Sequence, residues 1–235
     1  MKLHHFIDNF DLRLGQLVIA NTEIVHQVKD VLKLKKDERI VLVDGNGRKA
    51  EAEIVSLGRQ GIEVFVLKIF GEECEPPNQV TLYCAILKKE NLELAVQKAV
   101  EVGVQKIVPL LTDRVVKIKI NRQRLEKIIK EATEQSERAM LPILGDPLDL
   151  VEAIAESAHY DLNIFFDPSG KSVSTLPRLK KPAQIGVFVG PEGGWDEREV
   201  ALAKDKGLKV VSFGNTILRG ETAAVIGSYL GAYMN

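Results

Sequence analysis

The sequence predicts an α/β protein in two domains: a small β-barrel at the N-terminus, then a parallel, doubly wound sheet. Three observations carry this. Short Val- and Ile-rich runs crowd the first third. The acidic, proline-paired stretch at residues 71–79, "GEECEPPNQ", offers little to bury and reads as a linker. From Val80 onward, apolar runs of strand length alternate with helical periods. The boundary falls in the linker and divides residues 1–72 from 73–235.

In the first domain the predicted strands are "QLVIA", "RIVLVD", "KAEAEIVSL" and "GIEVFVLKIF". The turn segments Asp44-Gly45-Asn46-Gly47 and Gly58-Arg59-Gln60-Gly61 separate them. One helix interrupts the series, "TEIVHQVKDVLKL", with its apolar positions at Ile24, Val28, Val31 and Leu32.

In the second domain, strand "VTLYCAIL" precedes helix "ENLELAVQKAVEVG", where Gly103 suits the residue after the C-cap. Strand "KIVPLL", helix "RQRLEKIIKEATEQSER" and helix "LDLVEAIAESA" follow. Strands "DLNIFF" and "IGVFVG", helix "DEREVALAKDKG", strand "LKVVSFG" and an Ala- and Gly-rich helix end the chain.

The composition, 45% hydrophobic, is that of a soluble globular protein, and no apolar run is long enough to span a bilayer. "MKLHHFIDNF" lacks the apolar core of a signal peptide, and Cys74 and Cys84 are too few for a disulfide framework. A cytoplasmic location follows as the expectation. The net charge of −1 excludes a uniformly basic coat. It allows a local one: "RVVKIKINRQRLEKIIK", Arg114 to Lys130, holds seven basic residues against the single acid Glu126. For a lone charge run of this kind a solvated helix face is the ordinary explanation.

In open α/β sheets ligands bind at the carboxyl ends of strands. Three such ends are unusual here: Asp167-Pro168-Ser169-Gly170, Gly190-Pro191-Glu192-Gly193-Gly194-Trp195, and Gly214 to Thr222. Glycine lets a backbone approach a flat ligand closely. Asp196 with Glu199 reads as a capping box and accounts for those two residues only. The glycine spacing matches neither a dinucleotide fingerprint nor a P-loop. No nucleophile elbow and no metal-ligand spacing appear, and His4, His5, His26 and His159 sit in ordinary surroundings. Such a pattern suits a cofactor that carries its own reactivity.

"VGPEGGWDEREV" and "FGNTILRGETAAV" resemble the two C-terminal signatures of the RsmE-type ribosomal RNA methyltransferases of the SPOUT superfamily. "QKAVEVGVQKIVPLLTDR" and "KEATEQSERAMLP" resemble two further blocks of that family, and the first third resembles its PUA-like domain. The resemblance implies a C-terminal trefoil knot near residues 163–225 that binds S-adenosylmethionine. It also implies a homodimer, a partner in 16S ribosomal RNA or the small ribosomal subunit, and methylation of a uridine at N3. It implies no metal and no membrane.

By position, Gly190, Pro191, Glu192, Gly193 and Gly194 match the second cofactor loop. Gly214, Ile217, Leu218, Arg219, Glu221, Thr222 and Ala223 match the third. Lys98, Glu101, Gly103, Pro109 and Arg114 match one upstream block; Glu134, Gln135, Ser136 and Arg138 match the other. Cofactor contacts are thus expected from Phe166, Val189, Gly190, Pro191, Glu192, Gly194, Phe213, Gly214, Asn215, Ile217, Leu218 and Thr222. RNA contacts are expected from Lys98, Arg114, Lys117, Arg122 and Arg138. Arg219 and Glu221 are the catalytic candidates: Arg219 to steady developing negative charge, Glu221 as base or as a partner bracing Arg219. Lys98 with Glu101 also reads as a plain i, i+3 ion pair. Gly220 departs from the family's usual Thr, and His4-His5-Phe6 from its Arg before aromatics. Methylation of another base or a ribose 2′-hydroxyl, and a non-catalytic assembly factor, stand as the alternative readings.

Overall fold

The computed structural model describes residues 3–58, 61–71, 75–114, 120–179 and 182–234. The chain divides into two compact units, Met1–Glu75 with Thr133–Leu141, and Pro76–Ala132 with Pro142–Asn235. Segment Thr133–Leu141 therefore groups with the first unit, a non-sequential arrangement that no single boundary at 72–73 expresses.

The first unit holds strands β1 (His4–Ile7), β2 (Gly15–Ile19), β3 (Arg39–Val43), β4 (Lys49–Gly58) and β5 (Gly61–Phe70). They form one sheet in the order β1-β3-β4-β5-β2, with β1 parallel to β3 and the other pairs antiparallel. Alternate residues face the core: Ala50, Ala52 and Ile54 from β4, and Ile62, Val64 and Val66 from β5. Helix α1 (Thr22–His26) starts where the Asn21 side chain accepts the N–H groups of Glu23 and Ile24. It widens at once into a π-helical turn, Gln27–Val31, in which the Leu32 N–H reaches the Gln27 carbonyl at 2.8 Å. This wider winding departs from the 3.6-residue period, so Val28 is buried while Val31 faces solvent.

Thr133–Leu141 is fastened within this unit by side chains. The Ile7 N–H donates to Glu134 Oε1 at 2.9 Å, and the Lys49 ammonium donates to the Glu137 carbonyl at 3.1 Å.

The second unit contains strands β6 (Gln79–Ala85), β7 (Lys106–Leu111), β8 (Ile143–Leu144), β9 (Leu148–Asp149), β10 (Leu162–Ser172), β11 (Gln184–Val189) and β12 (Lys209–Ser212). Its helices are α2 (Lys89–Glu101), α3 (Arg122–Gln135, whose last turn belongs to the first unit), α4 (Leu150–Glu156), α5 (Glu197–Asp205) and α6 (Gly220–Tyr233). The sheet runs β12-β10-β11-β6-β7-β8, with β9 also on β7, and every pairing in it is parallel. Both faces are covered. Leu82, Ile164, Phe166, Val187 and Val189 pack in one core with α2, α3 and α6 residues; Tyr83, Phe165 and Phe188 pack in the other with α4 and α5 residues. Burial on both faces is why these strands read as continuous apolar runs.

Gly103 takes φ +105°, and the Val104 N–H reaches the Ala99 carbonyl at 3.0 Å, closing α2 as its sequence suggested. Asp167–Gly170 is different from the loop expected of it. It lies inside β10, where the register with β12 shifts between Phe166 and Lys171. A Cβ at Gly170 would meet the Val211 backbone at 2.6 Å, so only glycine lets the two strands lie this close. Among the described residues no helix is long and apolar enough to cross a membrane.

Candidate active site

Strand register builds the site. Phe166 lies beside Val189 on one side and Val211 on the other, and Val189 lies beside Cys84. The carboxyl ends of β12, β11 and β6 therefore stand in a row at one end of the sheet, with the irregular stretch of β10 after Phe166 between the first two.

The loop after β11 is held at nearly every residue. A Cβ at Gly190 would sit 2.8 Å from Trp195 Nε1, so glycine there admits the indole. Trp195 stacks on Phe165 with centroids 4.3 Å apart and donates Nε1–H to the Phe166 carbonyl at 2.9 Å. The Gly194 N–H closes a turn onto the Pro191 carbonyl at 2.9 Å. Glu192 reaches across to α2: its Oε1 accepts the Lys88 N–H at 2.9 Å and the Asn91 amide at 3.4 Å. Helix α2 has no side-chain cap of its own, and Glu192 supplies an anionic one at its positive end. Burial opposes the Glu192 charge. The N–H groups of Lys88 and Glu192, the Asn91 amide and the Lys88 charge outweigh it and hold the carboxyl below its ordinary value. Asp196 and Glu199 form the expected capping box of α5. Cys84 lies buried beneath this loop end; burial, with the Glu192 charge, pushes its thiol up to about 12, which leaves it inert.

The loop after β12 is open. Phe213 stacks on Phe166 with centroids 4.0 Å apart and planes 6° from parallel. Gly214 takes φ +136°. Asn215 and Ile217 are exposed, Ile217 at 88%, while Leu218 is half-buried. Gly220 opens α6 against the neighbouring loops: a Cβ there would stand 2.8 Å from Leu87 Cδ2 and 3.6 Å from the Gly190 carbonyl oxygen. Leu87 thus fills the space that a Thr side chain at position 220 would need. Thr222 points to solvent, whereas Glu221 is buried and its Oε2 has no hydrogen-bond partner among the described residues.

Each of the expected RNA-binding residues that the structure describes is engaged by a neighbouring group. Arg138 is a correction: its side chain is 3% exposed, and it grips Glu75 through Nη2 at 2.7 Å, a buried pair within the first unit. It cannot meet a phosphate. Lys98 pairs with Glu101 at 2.8 Å. Arg122 pairs with Glu126 and Asp146, each at 2.8 Å, and donates to the Leu144 carbonyl at 2.6 Å. Arg114 Nη1 donates to the Gly193 carbonyl at 3.0 Å. Lys117 lies outside the described residues. Sequence reasoning missed Leu87, which lies against Gly220, Lys88, whose N–H meets Glu192, and Lys89, which opens α2. The only signal was their place after a strand carboxyl end.

Residues 74–229 match the model of the RNA methyltransferase domain family, and residues 21–67 match that of the RNA methyltransferase PUA domain. The chain is 32% identical over 218 residues to ribosomal RNA small subunit methyltransferase E of Rickettsia conorii, covering 90% of this chain and 87% of that one. It is 33% identical over 216 residues to the Synechocystis protein of the same name, covering 89% and 70%. Ribosomal RNA small subunit methyltransferase E from Neisseria gonorrhoeae, solved bound to S-adenosyl methionine, superposes with a TM-score of 0.87 at 27% identity, covering 97% and 95%. The chain belongs to the ribosomal RNA small subunit methyltransferase E family.

Proposed function

We propose that this chain transfers a methyl group from S-adenosylmethionine to N3 of a uridine in 16S ribosomal RNA. The observation that carries the reading is the meeting of three loops at the start of α6. There Glu221 keeps a buried oxygen without a partner among the described residues, three residues after the open Phe213–Leu218 loop. A buried carboxylate oxygen left unpaired costs stability, so a ligand that brings a donor fits this place.

S-adenosylmethionine, when bound, supplies an electrophilic sulfonium methyl group. Val189, Gly190, Pro191, Gly194, Phe213, Gly214, Asn215 and Thr222 would hold it, largely through main-chain groups that glycine leaves uncovered. Phe166, Ile217 and Leu218 would supply its apolar wall. Glu192 serves the cofactor by fixing the loop from outside. Uracil N3 carries a proton at neutral pH, so the residues around it must stabilise the anion or take the proton. Arg219, exposed and cationic, answers the first need, and the free oxygen of Glu221 accepts a donor. Lys88 and Lys89, exposed beside the site, replace Arg138 as phosphate contacts.

We further infer the trefoil knot. Strand β12 lies on the far side of β10 from β11, yet α6 returns to pack on β11 and β6. Closure of the first unit's sheet into a PUA-like barrel belongs to the same reading. So does a homodimer, for which Ile226, Tyr229 and Tyr233 offer an exposed stripe along α6. A cytoplasmic location follows from the ribosomal substrate. Titration calorimetry with S-adenosylmethionine tests the reading: saturable binding is expected, and its absence sinks every methyltransferase assignment.

A further inference from the structure

Arg114 was expected to meet RNA, yet its donors are turned onto the loop after β11. Nη1–H donates to the Gly193 carbonyl at 3.0 Å, and Nη2 stands 3.6 Å from Asp196 Oδ2. Its neighbour Asp113 reinforces the grip. The Asp113 N–H donates to Glu199 Oε1 at 3.1 Å, and its carboxylate receives Arg198 at 2.9 Å. The end of β7 therefore holds the exit of the Gly190–Asp196 loop and the first turn of α5. On its other side the same loop is held by Trp195 on the Phe166 carbonyl and by Glu192 on the Lys88 N–H. Of these anchors, only the one from β7 reaches the Gly193 carbonyl, in the middle of the Pro191–Gly194 turn. A planar guanidinium suits that task, since one N–H makes the hydrogen bond to the carbonyl while the same charge lies near the Asp196 carboxylate.

We propose that Arg114 is a positioning residue for the cofactor loop. It orients the Pro191–Gly194 turn so that the loop's main-chain groups meet S-adenosylmethionine, and it does not serve as a phosphate ligand. The inference rests on the proposed function for its ligand and on geometry alone for the loop.

Three measurements on the full-length chain test it: amide exchange without cofactor, calorimetry with S-adenosylmethionine, and ribosomal RNA binding across a salt series. Arg114→Ala should speed exchange of the Gly194 N–H and weaken cofactor binding about 5- to 10-fold, the scale of one charge-assisted hydrogen bond at a half-exposed site. The salt slope of RNA binding should stay at the wild-type value. Arg114→Lys keeps a charge opposite Asp196 but loses the directed guanidinium N–H on the Gly193 carbonyl, so it should recover only part of the affinity. Unchanged exchange and cofactor affinity, with a salt slope reduced by about one, would overturn the proposal and make Arg114 a phosphate contact. If the wild type binds no cofactor while Arg114→Ala still loosens Gly194, the proposed function fails and the positioning of the loop stands.

Discussion

Arg219 and Glu221 flank Gly220 with their side chains 4.0 Å apart, Arg219 Nη1 to Glu221 Oε1. The first side chain is 85% exposed and the second only 10%. A contact this long with one partner in solvent contributes little. It leaves the Arg219 head free and does not reach Glu221 Oε2.

Arg219→Ala should therefore leave folding and cofactor affinity intact while lowering kcat by about 10²–10³, the scale for losing one charge-stabilising donor. Steady-state kinetics with unfolding curves and calorimetry on the same variant check this. Full residual activity would remove Arg219 from catalysis. Glu221→Gln keeps the shape but not the charge, and should weaken cofactor binding or slow transfer about tenfold or more.

Helix α6 lies on the sheet through its glycines. A Cβ at Gly227 would stand 2.8 Å from Phe166 Cε2 and 3.1 Å from Val187 Cγ1. Alanine there gains about 1 kcal/mol of helix propensity but overpacks a ring stacked on Phe213, a cost of about 1–3 kcal/mol. The steric term wins because Phe166 is already buried and stacked on Phe213, so its ring has little room to give. Gly227→Ala should lower Tm and loosen cofactor binding together; a raised Tm would show that the packing gives way.

Trp195→Phe keeps the stack on Phe165 and removes the donor to the Phe166 carbonyl. Leaving that buried acceptor unpaired should cost about 1–2 kcal/mol in urea unfolding. A change inside experimental error would mean that water replaces the indole.

Glu192 ties the loop after β11 to α2 as a carboxylate, with its pKa held below the ordinary 4.5. A depressed folded pKa stabilises above the unfolded value, and that stability is lost as pH falls through the folded one. Thermal scans should thus show Glu192→Gln less stable than wild type at neutral pH, with the gap closing below pH 4.5. A gap independent of pH would mean that the carboxylate's charge plays no part.

Much of this was legible in the sequence for definite reasons. Strands buried on both faces must be apolar throughout, so β6, β7, β10 and β11 announced themselves. Local chemistry was equally plain: the Asp196–Glu199 box, Gly103 after α2 and the Lys98–Glu101 pair all act within a few residues. What escaped is long-range. His4–Ile7 is a strand because it lies parallel to β3, not because of its own pattern. Arg138 looks like any basic residue at a helix end until Glu75 is found around it. Gly220 gains its reason only from Leu87, which the chain places against it after more than a hundred residues.

The central claim is best met by nucleoside mass spectrometry of small-subunit ribosomal RNA incubated with the purified protein and S-adenosylmethionine. RNA taken from cells lacking this protein is the substrate. N3-methyluridine should appear with wild type and be absent with Arg219→Ala. A 2′-O-methylated nucleoside, a different methylated base, or no new methylation would contradict the account.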